Sequence, residues 1–190
     1  MTCILIMGPP GSGKGTQAGD IAARHGVAAI STGDIFRAHV DADTPLGHTA
    51  REYMEAGEYV PDSVTIDMLR DRVDRPDCEH GFVLDGFPRT IAQVGALDEL
   101  LAATGHELRA VIALDVERSE LVDRLVRRAA TEGRADDTEE VIRRRLALYA
   151  DETDPLLAEY ESRDALVRLD GSGTPAEVAE RVAQALAVRA

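Results

Sequence analysis

Five short runs of apolar, β-favouring residues, Cys3–Met7, Val27–Ile30, Phe82–Leu84, Ala110–Asp115 and Ala165–Leu169, recur along the chain and alternate with stretches of helical periodicity. A strand with one face in water alternates apolar and polar residues. Near-continuous apolarity instead requires cover on both faces, the mark of a parallel sheet packed between helices. The intervening stretches supply that cover. Residues from about Lys14 to His25 read as a helix closed by Gly26, and Thr90–Ala103 places Ile91, Val94, Leu97, Leu100 and Leu101 at helical spacing before Gly105. Thr174-Pro175-Ala176-Glu177 is a capping box with proline at the first helical position, and Val178, Val182 and Leu186 follow at four-residue spacing. The prediction is an α/β fold, a parallel five-stranded sheet with helices on both faces.

Two segments break the alternation. Residues 31–73 are too long for one crossover helix, and Pro45, Gly47, Gly57 and Pro61 divide them into short pieces. Residues 128–137 form a polar interruption between two helices. The expected organisation of the 190 residues is a single domain whose core comprises 1–30, 61–127 and 138–190, with a helical insertion at 31–60 and a short lid at 128–137. Departures of this kind from a scaffold are where binding loops and lids are expected.

Composition excludes several partners. With 35 acidic against 21 basic residues the formal charge is −14, which repels nucleic-acid phosphates and anionic lipid at long range, so neither nucleic acid nor membrane is an expected partner. A nucleotide ligand remains open, since a site needs only local positive potential. The longest apolar runs are about five residues, far short of the ~18 that span a bilayer, and no basic segment precedes the first of them. Cys3 and Cys78 lack any metal-ligand spacing and read as free thiols of a reducing cytosol, giving a cytoplasmic expectation.

The chemistry concentrates directly after the first strand, in Gly8-Pro9-Pro10-Gly11-Ser12-Gly13-Lys14-Gly15-Thr16. Glycines at these offsets let the backbone curl so that N–H groups surround a phosphate. The following helix N-terminus favours its charge, and Lys14 adds a cation for the β- and γ-phosphates. Lys14 is also the only lysine among the 21 basic residues. One position departs from the usual P-loop: Gly15 stands where serine or threonine is common, and the hydroxyl comes one residue later at Thr16. Asp85 ends the third strand and should emerge at the same carboxyl edge as this loop. There it is a candidate to orient Mg²⁺ through water, with Thr16 a second candidate and a strand-end turn the alternative for Asp85.

Seven segments in order, GPPGSGKGTQ (8–17), STGDIFR (31–37), GEYVPD (57–62), DGFPRTIAQ (85–93), GRADD (133–137), EEVIRRRL (139–146) and DGSGTPAEV (170–178), resemble the adenylate kinase family over essentially the whole chain. The resemblance implies a P-loop NTPase-like fold that transfers the γ-phosphoryl group of MgATP to AMP, giving two ADP. By motif position it implies that Gly11, Ser12, Gly13, Lys14, Gly15 and Thr16 cradle ATP, with Arg128 over it and the Gly173 backbone at its base. Thr32, Arg37, Glu58, Tyr59, Val60, Gly86, Phe87, Pro88, Arg89 and Gln93 would line the AMP pocket. Arg134 and Arg145 would reach the transferring phosphoryl and AMP, so that Lys14, Arg89, Arg128, Arg134 and Arg145 are the catalytic set.

Gln93 suits an adenine edge because a primary amide offers one donor and one acceptor side by side. Thr32 could alternatively be a helix N-cap. Arg143 and Arg144 read as solvated charges beside Arg145, and Arg128 is preferred to Arg127 because it lies five residues before the GRADD turn. Asp136 and Asp137 either orient those arginines or begin the next helix. The short lid without cysteine implies no structural zinc, and the one-insertion, one-lid form implies a monomer. Two other readings stay open: a kinase of the same fold acting on UMP and CMP, and a nucleotide-binding protein without transfer activity.

Overall fold

A computed structural model describes residues 1–132 and 138–188 of the chain. Its sheet contains β1 (Thr2–Met7), β2 (Ala28–Ser31), β3 (Gly81–Asp85), β4 (Glu107–Asp115) and β5 (Leu166–Asp170), all parallel, in the order β2-β3-β1-β4-β5. The helices are α1 (Lys14–His25), α2 (Thr32–Asp41), α3 (Pro45–Ala56), α4 (Asp62–Val73), α5 (Ile91–Thr104), α6 (Arg118–Glu132), α7 (Glu139–Leu148), α8 (Leu156–Ser162) and α9 (Pro175–Val188). A π-turn, Tyr149–Thr153, connects α7 to α8.

Period-two alternation along the buried strands sorts the core into two layers. Cys3, Leu5 and Met7 of β1 join Phe82 and Leu84 of β3 on one face, where α4, α5 and α8 add Leu69, Val73, Val94, Leu97, Leu157 and Tyr160. Ile4, Ile6 and Val83 face the other way, toward Ala18, Ile21 and Ala22 of α1 and Val178, Val182 and Leu186 of α9. Both faces are covered, which is why these strands show no polar alternation. Two smaller clusters lie outside these layers. Phe36, Ala50, Val60 and Met68 join α2, α3 and α4, while Leu121, Leu125, Ile142 and Leu146 join α6 to α7.

The elements follow the expected boundaries closely, with one extension. β4 begins at Glu107 rather than Ala110, because the Glu107 N–H donates to Met1 O at 2.8 Å and its residue pairs with Thr2 at the start of β1. A parallel neighbour thus supplies ladder bonds to a segment whose own side chains are polar. At the carboxyl edge Asp85 is in register with Ile6 on one side and Ser31 on the other. The chain therefore leaves β1, β2 and β3 at adjacent points, at the start of the loop before α1, of α2 and of the turn before α5.

Candidate active site

Those three departures open a cleft of about 420 Å³, lined from the 8–16 loop, the start of α2, residues 57–60, the turn 85–89, Gln93, Arg128, Arg145 and the π-turn. A cleft at the carboxyl ends of parallel strands is where open α/β folds bind ligands, and this volume suits a small-molecule ligand. On its floor Lys14 Nζ donates to Gly8 O at 2.7 Å and to Pro9 O at 2.9 Å, so the ammonium is held over the loop that precedes it. Gly13, the N-cap of α1, carries φ 90° and contributes no side-chain cap. The amide N–H groups at the helix start consequently have no capping side chain to accept them, which suits an anion.

Lys14 is half-buried and enclosed by protein. Burial is the largest influence on it and pulls its pKa from 10.5 to about 8. Asp85 opposes that shift, while Arg89, Arg145 and Arg128 add to it. Asp85 is displaced the other way: burial raises its pKa, Lys14 and Arg89 oppose, and Asp34 adds a smaller push. In both members of the pair the loss of water outweighs the attraction between them, the state in which a triphosphate and its counter-ion would be most welcome. A Cβ at Gly15 would stand 3.6 Å from Asp85 Oδ2, so a longer side chain there would reach the carboxylate.

The far side of the cleft is built around Gly86 and Arg89. Gly86 has φ +83°, and a Cβ on it would meet Thr32 Oγ1 at 2.6 Å and Arg89 Nη2 at 3.0 Å. Only glycine satisfies both the left-handed backbone and the close approach. Thr32 is buried, and its hydroxyl donates to Gly86 O at 2.9 Å; the N-cap of α2 is Ser31, whose Oγ accepts from the Asp34 N–H. The cap reading therefore belongs one residue earlier than Thr32.

Arg89 Nε donates to Gly86 O at 2.7 Å, and its guanidinium lies over the Tyr59 ring with 5.0 Å to the centroid. Thr153 Oγ1 donates to Arg89 O at 3.0 Å and sits 2.8 Å from Tyr59 Oη. Arg89 is thus fixed from both its side chain and its backbone. The Gln93 amide is already engaged at both ends, Oε1 accepting from the Arg89 N–H and Nε2 donating to Asp62 Oδ1, so one N–H and one lone pair remain for a ligand.

Five expected cations, Lys14, Arg37, Arg89, Arg128 and Arg145, line this one cleft. Arg37 pairs with Asp34 at 2.6 Å and lies against the open face of Gly33. Of the adjacent arginines, Arg127 is exposed and turned to its own helix, and Arg143 is exposed and paired with Glu139. Arg144 is exposed as well, as expected of a solvated charge, and makes surface contacts. It donates to Ala56 O at 3.2 Å and approaches Glu58 at 3.6 Å, tying α7 to the end of α3. The remaining expected cation, Arg134, lies with Asp136, Asp137 and the rest of GRADD outside the described residues.

Ser12 is buried beneath the loop with no partner for its hydroxyl among the described residues. Gly173 lies in the loop between β5 and α9, near Glu177 and Arg181, and is not among the residues that line the cleft. Arg124 anchors that loop to α6 by donating to Gly171 O at 3.1 Å while pairing with Glu120.

Sequence reasoning passed over Thr153, Tyr149 and Asp62. Thr153 and Tyr149 belong to a π-turn that leaves no pattern in the sequence, whereas Asp62 closes the GEYVPD segment and was legible as part of it. Among the described residues no cluster of three or more His, Cys, Asp or Glu side chains could cage a metal ion. Asp85 beside the loop fits a magnesium ion that arrives on a triphosphate and keeps most of its waters.

A family model described as Adenylate kinase matches residues 6–165. A protein from Nocardioides sp. named Adenylate kinase is 57% identical over 185 residues, covering 97% of each chain. Proteins of the same name from Micrococcus luteus and Renibacterium salmoninarum are 54% and 53% identical over 186 residues, covering 98% of this chain and 91% and 96% of theirs.

Proposed function

The chain belongs to the adenylate kinase family and is a phosphotransferase acting on nucleoside monophosphates, and we propose that the cleft described above carries out the transfer from MgATP to AMP. The observation that carries this reading is the gathering of five cations from five separate segments into one cleft of a chain whose net charge is −14. Phosphoryl transfer through a loose transition state needs alignment and charge stabilisation more than covalent chemistry. ATP phosphates occupy the 11–16 loop over Lys14, and the AMP phosphate lies near Arg37 and Arg89, with Thr32, the 58–60 backbone, the 86–89 turn and Gln93 around the nucleoside. An AMP phosphate oxygen attacks the γ-phosphorus in line. The new O–P bond forms as the bond to the β–γ bridging oxygen breaks, and the charge released on ADP is met by Lys14, Arg128 and Arg145, with Arg134 assigned to the same task by its motif.

No general base is required, because the AMP phosphate already carries its charge at neutral pH. Asp85 would hold the waters of an Mg²⁺ ion arriving on ATP, with Thr16 a second candidate at the same loop, and the ion would supply charge neutralisation for the phosphate oxygens. Residues 31–60 act as the AMP-binding insertion and 128–137 as a short lid, closing to exclude water that would otherwise accept the phosphoryl group. We place the protein in the cytoplasm as a monomer without nucleic-acid or membrane partners. Among the described residues no helix is long and apolar enough to cross a membrane. The test is ADP formation from MgATP with AMP, UMP and CMP as acceptors. AMP is the expected preferred acceptor; preference for UMP or CMP, or tight binding of an ATP–AMP bisubstrate mimic without ADP formation, would overturn the reading.

A further inference from the structure

Gln93 is only 1% exposed yet lines the cleft, so the direction its amide faces decides what it can offer a ligand. Two neighbours of fixed polarity set that direction. The Arg89 backbone N–H can only donate, and it donates to Gln93 Oε1 at 2.8 Å; the Asp62 carboxylate accepts from Gln93 Nε2 at 2.7 Å. Asp62 is itself braced. Its Oδ2 accepts from Thr90 Oγ1 at 2.8 Å, and the same hydroxyl caps α5 by accepting from the Gln93 N–H. Turning the amide over would set N–H against N–H and carbonyl oxygen against carboxylate. Asp62 is the stronger of the two restraints, because a hydrogen bond to a carboxylate is roughly twice as strong as one between neutral groups.

We propose that Asp62 is a specificity-determining positioning residue, locking the Gln93 amide so that its remaining N–H and lone pair present a single donor–acceptor order to the acceptor base. This rests on the reading of Gln93 as the residue that pairs with the adenine edge. Adenine offers an acceptor at N1 and a donor at its 6-amino group. Hypoxanthine, nearly the same shape, offers a donor at N1 and an acceptor at O6. An amide free to turn can pair with either base. A locked one pairs with adenine and meets hypoxanthine with like poles opposed, which is the strongest form of rejection available to a buried polar group. The structural consequence is selection of AMP over IMP by a residue at the start of α4 that contributes no atom to the cleft lining.

The experiment measures kcat/KM for AMP and for IMP at saturating MgATP in the native chain, in Asp62→Ala and in Asp62→Asn, with thermal melting alongside. In Asp62→Ala the AMP-to-IMP ratio is expected to fall by about tenfold or more, the scale of one charge-assisted hydrogen bond, with IMP gaining in absolute efficiency. Asp62→Asn keeps a carbonyl oxygen that can still accept but can also rotate to offer a donor, so its ratio should lie between the two. It also serves if the alanine variant does not fold. An unchanged ratio in the variants, even with KM raised for both nucleotides or melting lowered, would overturn the proposal and leave Asp62 as a brace between α4 and α5. Equal use of AMP and IMP by the native chain would overturn it while leaving the phosphoryl-transfer reading intact. Failure of the native chain to phosphorylate AMP would overturn that reading and the proposal together.

Discussion

Lys14 is the only lysine in the chain, so labelling lysine with ¹³C at the ε position gives one side-chain resonance whose titration needs no assignment. In the nucleotide-free protein that titration is expected to centre at about 8 instead of 10.5, because burial lowers it and Arg89, Arg145 and Arg128 add to the shift against the opposing Asp85. The sign of the stability effect follows. Between about 8 and 10.5 the unfolded chain binds a proton at Lys14 that the folded chain has released, so the Lys14 contribution to stability rises with pH across that window. Below the window both states are protonated and the cost of burying the ammonium is present in full.

At 1.36 kcal/mol per unit, the 2.5-unit difference caps the effect at about 3.4 kcal/mol, which for a chain of this size is up to about 10 °C in melting temperature. Cys3, Tyr149 and Tyr160 work in the opposite direction at alkaline pH, since burial raises all three and the unfolded chain ionises first. The assay is therefore a difference: urea melts of the native chain and of Lys14→Met from pH 7 to 10.5, in which the native chain gains on the variant as pH rises. Bound MgATP should return the resonance toward 10, and kcat/KM for MgATP should fall above pH 8 as the ammonium is lost. A midpoint at or above 10 in the free protein, or a stability difference flat with pH, would refute the burial argument. Lys14→Arg extends it: a planar guanidinium does not fit where Nζ sits between two carbonyls at 2.7 and 2.9 Å, so near-normal turnover would contradict the geometry.

The other predictions concern the walls of the cleft, with the glycine that ends α1 as a reference. Gly26→Ala, at φ +64° in open space, should lose about 1–2 kcal/mol from backbone strain alone. Gly86→Ala adds displacement of the Thr32 hydroxyl and should lose about 1 kcal/mol more, with a raised KM for AMP; equal melting of the two variants would contradict the close approach. Arg128→Ala should cut kcat by on the order of a hundredfold while shifting stability by less than about 0.5 kcal/mol, and equal loss of both would argue against its place over ATP. Thr153→Val removes the donor to Arg89 O and should lower kcat/KM for AMP about five- to tenfold, whereas Thr153→Ser keeps the hydroxyl and should stay near the native value.

The strands, α1, α5 and α9 with their caps, and the loop around Lys14 were legible in the sequence, because each is specified by residues near one another in the chain. Apolar runs demand cover on both faces, glycines and a capping box mark helix ends, and closely spaced glycines before a helix N-terminus make a phosphate cradle. Even Asp85 could be placed, since a strand-end carboxylate in a parallel sheet has one edge to emerge from. What escaped is whatever depends on partners distant in sequence. That Ser31 and not Thr32 caps α2 was decided by Gly86 O, 54 residues further on, which accepts the Thr32 hydroxyl. Arg144 is the surface charge its neighbours suggest, but its contacts with Ala56 and Glu58 come from residues far away in the chain. Thr153, inside an acidic stretch, gains a role only because the π-turn carries it to Arg89 and Tyr59.

The residue types and their order along the chain thus determined the sheet, the phosphate loop and the inventory of cations. Tertiary structure alone decided which cations converge, how far burial moves Lys14 and Asp85, and which way the Gln93 amide is held. Periodicity and caps act within a few residues, whereas desolvation and hydrogen-bond direction belong to the whole set of neighbours that folding brings together.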